Sequence, residues 1–510
     1  MRIALAAAAL SATAFAASVA AEEGGQSDAM TSALAAGYKA AFTCSATFNA
    51  NQSLAEIEAN ELTGVYPDYR SALRSLGRAQ IDSASKTVSV AYDSALPPRM
   101  AVWRPGMGCA QLPIGADASA ADYVPGFSSW PEPTAPDRST AIGSNVVITS
   151  NVAFFERLEV PVTFAFDGQS YGDDNRTSAL VIAQNGQIIA ERYARGIDAE
   201  TPQRTWSVAK SIAATLIGVA DEQGILELDF PAVIEAWTAG GDPRREITVR
   251  NLLQMSSGLD SGARGSRTDR IYFGGQRVID KAATASLEAR PGTRWKYANN
   301  DTLLAVRALR EAMEDDAAYH RFPYEALLLK IGAERTTLET DWNGDYLASS
   351  QVWSTARDLA RIGQLYLQDG VWGGERLLPE GWVDFVTTPA PDQPDNDLGY
   401  GAQFWLMNNA DGVPEDTFAA MGHRGQFIVV VPSKNVVIVR RGYDASGGDG
   451  FDIVRFTADV LTALEPDEYE QLVDDEGFAV YDDDGNPVYV LTPEQEFELE
   501  LKRERERARN

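Results

Sequence analysis

Apolar runs bounded by turn residues set the frame of this chain. Ala179-Leu180-Val181-Ile182-Ala183 and Gln187-Ile188-Ile189-Ala190 flank Asn185-Gly186, whose backbones readily take the positive φ angles of a tight hairpin turn. A second hairpin is predicted late in the chain, with Phe427 to Val431 and Val436 to Val439 joined by Pro432-Ser433-Lys434-Asn435. Between the two, Val208, Ile212, Leu216 and Val219 recur at helical spacing until Gly224, with Gly218 as a weak point inside the run. An amphipathic helix is read from Ile453 to Leu464. An early hairpin, a helical middle, a late hairpin and a closing helix predict one antiparallel sheet built from both ends of a domain and covered by helices, an α+β architecture.

Outside that frame the pattern is less regular. A helix is read near Ala33 to Ala41, a strand at Thr87 to Tyr92, a loop at Pro131 to Pro136 and a strand-rich stretch from Val146 to Phe166. At the far end, Phe478 to Tyr481 and Val488 to Leu491 suggest a small hairpin around Asp484-Gly485-Asn486. Glu494 to Arg509 reads as a helix with its acids first and its bases last. The expected organisation is a leader at 1–21, an N-terminal extension at 22–169, a main domain at 170–465 and an appendage at 466–510.

The leader follows from Arg2, the apolar Ile3 to Ala17 and the small residues Ser18-Val19-Ala20-Ala21, the pattern of a cleaved signal peptide. It is short for a membrane span, so export without a stable membrane anchor is expected, to a periplasm or beyond. The only cysteines, Cys44 and Cys109, are then expected to pair, the alternative being two buried thiols. The net charge of −29 argues against a nucleic-acid partner. Much of it is local: from Glu465 to Glu500 there are fourteen acidic residues and no basic one. No Cys/His metal spacing is present, and no metal or organic cofactor is implied.

Three motifs carry chemistry. In Ser207-Val208-Ala209-Lys210 the serine opens the helix and the lysine lies three residues on, on the same face. A buried lysine loses hydration and its pKa falls toward neutrality, which lets it activate a serine without histidine. The tetrapeptide is short, and a second copy at Ser83-Ala84-Ser85-Lys86 precedes a strand, where residues three apart face opposite ways. Next, Tyr297-Ala298-Asn299 ends a Gly- and Asn-containing loop. Tyr297 is a candidate general base and acid, and Asn299 a candidate partner of Lys210 or of a substrate amide. Third, Gly422-His423-Arg424-Gly425-Gln426 enters the late hairpin. The N–H groups of Ser207 and Gln426 are candidate oxyanion donors, and Gly425 lets a substrate approach the strand. Of the two histidines, His320 reads as structural. A triad with His423 as the base lacks a Gly-x-Ser-x-Gly elbow at Ser207.

In this order the motifs resemble the serine β-lactamase and penicillin-binding-protein superfamily, most closely the branch with class C β-lactamases, family VIII esterases, D-amino-acid-specific peptidases and 6-aminohexanoate-dimer hydrolases. Leu252 to Leu259, Pro291-Gly292-Thr293, Ser354 to Arg361, Gly399-Tyr400-Gly401 and Trp405 are similar to marks of that branch, over about residues 170 to 465. The resemblance implies a β-lactamase/transpeptidase-like fold, with an antiparallel sheet and an all-helical lobe. It also implies acyl transfer through Ser207, served by Lys210, Tyr297 and Asn299. His423-Arg424-Gly425 stands where β-lactamases carry Lys-Thr-Gly, which favours small esters or linear amides over β-lactams. His423 is then expected to polarise a substrate oxygen and Arg424 to pair with a carboxylate. The segment Ser256 to Gln276 is read either as a lid, with Tyr272 touching substrate, or as an ordinary surface loop. The alternatives kept are β-lactamase or D-peptidase activity, and a catalytically silent ligand-binding homologue.

Overall fold

The computed structural model describes residues 29–128, 130, 142, 152–261, 268–393, 398–465, 470–471 and 489–490. The leader and the Pro131 to Pro136 loop lie outside them. The chain divides into two compact units, Met1–Val460 and Leu461–Asn510. In the second, Glu470–Gln471 pairs antiparallel with Tyr489–Val490. The expected strand at Phe478 to Tyr481 and the helix at Glu494 to Arg509 lie outside the described residues.

The first unit begins with helix α1 (29–48), then α2 (Leu54–Asn60) and α3 (Arg70–Ser75). A four-stranded antiparallel sheet follows in the order β1 (Gln80–Asp82), β2 (Thr87–Val90), β3 (Arg99–Arg104), β4 (Gly108–Gln111). Ser83 to Lys86 is the turn between β1 and β2. Helix α1 is apolar on two sides. Ala36, Ala40 and Cys44, spaced by one turn, pack on this sheet with Val88, Val90, Ala101 and Cys109. Leu34, Tyr38 and Phe42 join the main core with Trp206 and Phe273. Cys44 and Cys109 form a disulfide within the first cluster.

One sequence expectation fails here. The segment read as strand-rich contains helix α4 (Val152–Phe164), with Pro161 inside it. Its β-branched and aromatic residues suggested strands, but Leu158 and Val162 are buried four residues apart, which is the helical period.

The main sheet has seven antiparallel strands. They are β5 (Thr177–Gln184), β6 (Gln187–Tyr193), β7 (Gly399–Tyr400), β8 (Trp405–Leu406), β9 (Phe418–Gly422), β10 (Gln426–Val431) and β11 (Val436–Gly442), in the spatial order β7-β8-β9-β10-β11-β5-β6. The early and late hairpins therefore meet at β11 and β5, with Ile438 opposite Ile182. Every residue of β10 and β11 is buried, as expected for strands covered on both faces. Helix α5 (Val208–Glu222) packs on β9 and β10, and α7 (Ala356–Leu367) on β5, β10 and β11. Gly218, the apparent weak point of α5, abuts the Trp382 ring, so a side chain there would collide with it. Between α5 and α7 lies a lobe of short helices around α6 (Asn299–Met313), which packs on α5. Helix α8 (Ile453–Leu464) has the predicted bounds. The fold is α+β, one antiparallel sheet built from both ends of the domain and covered by helices, as expected.

Candidate active site

Ser207 is the N-cap of α5, with φ −71° and ψ −7°. The preceding Trp206 has φ +51°, a left-handed conformation that costs a bulky residue about 1–3 kcal/mol unless its surroundings hold it. Here they do. The Arg204 guanidinium lies 3.7 Å from the Trp206 ring centre, and Phe42, Tyr66 and His423 close around the same ring.

One turn along α5, Lys210 is 1% exposed. Its Nζ lies 3.4 Å from Ser207 Oγ and donates to Asn299 Oδ1 at 2.5 Å and to the Ser349 carbonyl at 2.8 Å. No carboxylate is among these partners. Burial alone pushes the lysine pKa down to about 7, so near neutral pH much of it is free amine. Asn299, the first residue of α6, takes the expected place beside Lys210.

Tyr297 precedes α6. Its ring centre is 5.1 Å from Lys210 Nζ. The expectation that a neighbouring lysine eases its ionisation is not met. Burial raises its pKa well above the usual tyrosine value, the influence of the nearby Ser207 hydroxyl offsets only part of this, and Tyr272 adds to the rise. Trp405 stacks on Tyr297 at 5.8 Å and Tyr400 meets it edge-on at 5.9 Å, so the Gly399 to Trp405 segment walls this side of the site.

The third motif is arranged differently from the sequence reading. Gly422 ends β9, and residues 423–425 form the turn into β10, with Gly422 paired to Gln426. Gly422 is the strand residue that meets the nucleophile: a Cβ placed on it would lie 3.1 Å from the Ser207 nitrogen. The Gln426 side chain points into the protein, donating to the Arg424 and Gly442 carbonyls and accepting from Arg441. Gly425 has φ +76°, and a Cβ there would collide with the buried Arg440–Asp444 ion pair. Its glycine is required by packing within the turn. Arg424, expected to pair with a substrate carboxylate, is 4% exposed and spends its guanidinium on the Asn60, Thr63, Tyr443 and Asp444 carbonyls. His423 Nε2 meets Ser446 Oγ at 2.6 Å and the ring stacks on Tyr66. One edge of the imidazole is open to solvent. Enclosure of the rest, with the Arg424 and Arg204 charges, pushes its pKa down to about 4.

Tyr272 is buried. Its hydroxyl meets Ser349 Oγ at 2.5 Å, so it braces the loop whose carbonyl holds Lys210. Much of the segment read as a lid is core: Ser256, Ser257, Leu259 and Ile271 to Phe273 are buried, and 262–267 lie outside the described residues. His320 is buried against the Gly344 carbonyl, as a structural residue. Ser354 to Arg361 is structural too, since Thr355 caps α7 and Asp358 accepts from the Arg335 backbone. No group of three or more His, Cys, Asp or Glu among the described residues is placed to hold a metal ion.

Ser349 and Tyr66 were missed by sequence reading, and nothing local marks either. The signal for Gly422 was its place directly before His423.

Residues 169–440 match the Beta-lactamase family. The chain belongs to that family. Its relatives carry several hydrolase names. A 6-aminohexanoate-dimer hydrolase of Paenarthrobacter ureafaciens is 25% identical over 309 residues, covering 56% of this chain and 77% of the relative. Among solved structures, a family VIII carboxylesterase is similar with a TM-score of 0.50 at 16% identity, covering 62% of this chain and 99% of that one. A class C β-lactamase gives 0.47 at 14% identity, covering 63% and 100%. The first of these relatives is a hydrolase by name, and this family member shares the fold of the carboxylesterase.

Proposed function

We propose that this protein is an exported serine hydrolase that cleaves small esters or linear amides through an acyl-Ser207 intermediate. The observation that carries the reading is Lys210: a buried amine with a pKa near 7, 3.4 Å from Ser207 Oγ, aimed by Asn299 and the Ser349 carbonyl. A neutral amine so placed accepts the serine proton as Oγ attacks the carbonyl carbon. The N–H groups of Ser207, beside Gly422, and of Gln426 receive the oxyanion. Tyr297, held as a neutral phenol, gives its proton to the leaving amine or alcohol and regains one from the Lys210 ammonium. Water then attacks the acyl ester and the same groups run in reverse. Lys210 is thus the base of the resting enzyme, and Tyr297 the proton donor.

The preference for esters and amides over β-lactams rests on the turn. Arg424 is buried with its guanidinium bonded to four carbonyls and His423 is neutral above about pH 4, so neither is placed to offer the cation that a β-lactam carboxylate would pair with. The relative named a 6-aminohexanoate-dimer hydrolase is in line with a linear amide substrate. Export is supported by the leader pattern and by the Cys44–Cys109 bond, which persists in oxidising compartments.

The test is intact mass after incubation with a fluorophosphonate. One adduct on wild type that maps to Ser207 and is absent in Ser207→Ala is expected. A well-folded protein that takes no adduct would overturn the reading in favour of a silent binding protein. Nitrocefin turnover equal to that of short esters would overturn the substrate preference.

A further inference from the structure

The N-terminal region reaches the catalytic turn. Arg424, inside the His423–Gly425 turn, is tied to the Asn60 and Thr63 carbonyls, and the Ser446 N–H donates to the Gly64 carbonyl at 2.8 Å. The segment that begins at Asn60 therefore runs along the residues that follow β11 and arrives at Tyr66. The half-buried Tyr66 ring stacks on His423, with centres 5.9 Å apart and planes 13° apart. It also meets Trp206 edge-on at 6.0 Å, and Trp206 is the residue before the nucleophile. Tyr66 thus touches both elements that flank Ser207: the residue that opens α5 and the turn after β9.

Tyr66 also lines a cavity of about 400 Å³ in the N-terminal region. Leu62, Val65, Leu73 and Leu76 give it an apolar side, and Lys39, Glu58, Arg70 and Arg74 a charged one, with Lys39 paired to Glu58. That volume is in the range of a small-molecule site. A flat ring between the catalytic turn and the apolar side of this cavity would limit how far a bound group can extend.

Resting on the hydrolase reading above, we propose that the segment Asn60 to Tyr69 is a wall of the active site, and that Tyr66 determines acyl-chain length by closing the site off from this cavity. With the ring in place, the site takes short acyl groups. Without it, an apolar chain enters the space beyond and gains the burial of each added methylene.

The test uses the full chain and p-nitrophenyl acetate, butyrate and octanoate. In Tyr66→Ala the octanoate-to-acetate ratio of kcat/KM is expected to rise by about tenfold or more, chiefly through a lower KM for octanoate. Tyr66→Phe keeps the ring and is expected to keep the wild-type ratio. Ser207 labelling by the fluorophosphonate is measured alongside to show that each variant is folded with an active nucleophile, and because the two esters are compared within one variant, any change in nucleophile reactivity common to both cancels in the ratio. If Tyr66→Ala does not fold, Tyr66→Leu serves in its place. An unchanged ratio in a variant that still labels at Ser207 would overturn the proposal, as would Tyr66→Phe shifting the ratio as far as Tyr66→Ala. If wild type does not label, the hydrolase reading falls instead. The wall is then tested by calorimetry with N-methyloctanamide and N-methylacetamide, where Tyr66→Ala must favour the longer amide and equal effects on both would overturn it.

Discussion

Arg424 donates from Nη1 to the Asn60 carbonyl at 2.5 Å, across 364 positions of sequence. With its bonds to the Thr63, Tyr443 and Asp444 carbonyls, it fastens the N-terminal region to the catalytic turn. Removing it leaves several carbonyls without a donor at roughly 1–3 kcal/mol each. Arg424→Met is expected to lower stability by about 3 kcal/mol or more in urea unfolding. Arg424→Lys should fail to restore it, because an ammonium cannot span the same acceptors. A wild-type midpoint for Arg424→Lys would contradict the clamp.

The Lys210 pKa sets the pH dependence of acylation. Below about pH 7 the amine is an ammonium and cannot take the Ser207 proton. For a neutral ester, kcat/KM should rise about tenfold per pH unit up to that point and then level off. Asn299→Asp places a carboxylate beside the amine, favours its charged form and should move the rising limb to higher pH. A limb that stays in place would show that another group titrates.

Glu339 is a buried carboxyl whose Oε1 accepts from Ser45 Oγ, Asn49 Nδ2 and the Cys109 N–H. Burial outweighs these bonds and pushes its pKa up to about 7 from the usual 4.5. Between those values the folded chain keeps a proton that the unfolded chain gives up. This carboxyl therefore subtracts stability as pH rises, and its penalty is complete above about pH 7. Glu339→Gln retains an acceptor for all three donors. It should match wild type near pH 5 and exceed it by about 1–3 kcal/mol at pH 8. Thermal melts at the two pH values check this, and an equal shift at both would refute it.

The Cys44–Cys109 bond joins α1 to β4 across 65 residues. Loss of a crosslink of that span costs about 2–5 kcal/mol. Cys44→Ala with Cys109→Ala should lower Tm and loosen the α1 contacts that hold Trp206 in place, so Ser207 labelling should slow as well. Peptide mapping without reductant that finds free thiols would remove the premise.

What the sequence determined by itself was local. Ser207 and Lys210 share a helical face because three residues are nearly one turn, and Asn185-Gly186 specified a hairpin because both backbones accept positive φ. The covered antiparallel sheet followed from where the apolar runs fall. Val152–Phe164 misled because its composition favours strands while its buried positions follow the helical period. Only tertiary structure decided what surrounds Lys210. Asn299 lies 89 residues away and the Ser349 carbonyl 139, and it is enclosure by those segments that lowers the lysine pKa and raises that of Tyr297. The fate of Arg424, the burial of Tyr272 and the arrival of Tyr66 beside His423 were also decided there. Each depends on partners brought together by the packing of α1 and the Asn60 segment against the sheet, and a side chain's donors and charge do not by themselves reveal which acceptors the fold will supply.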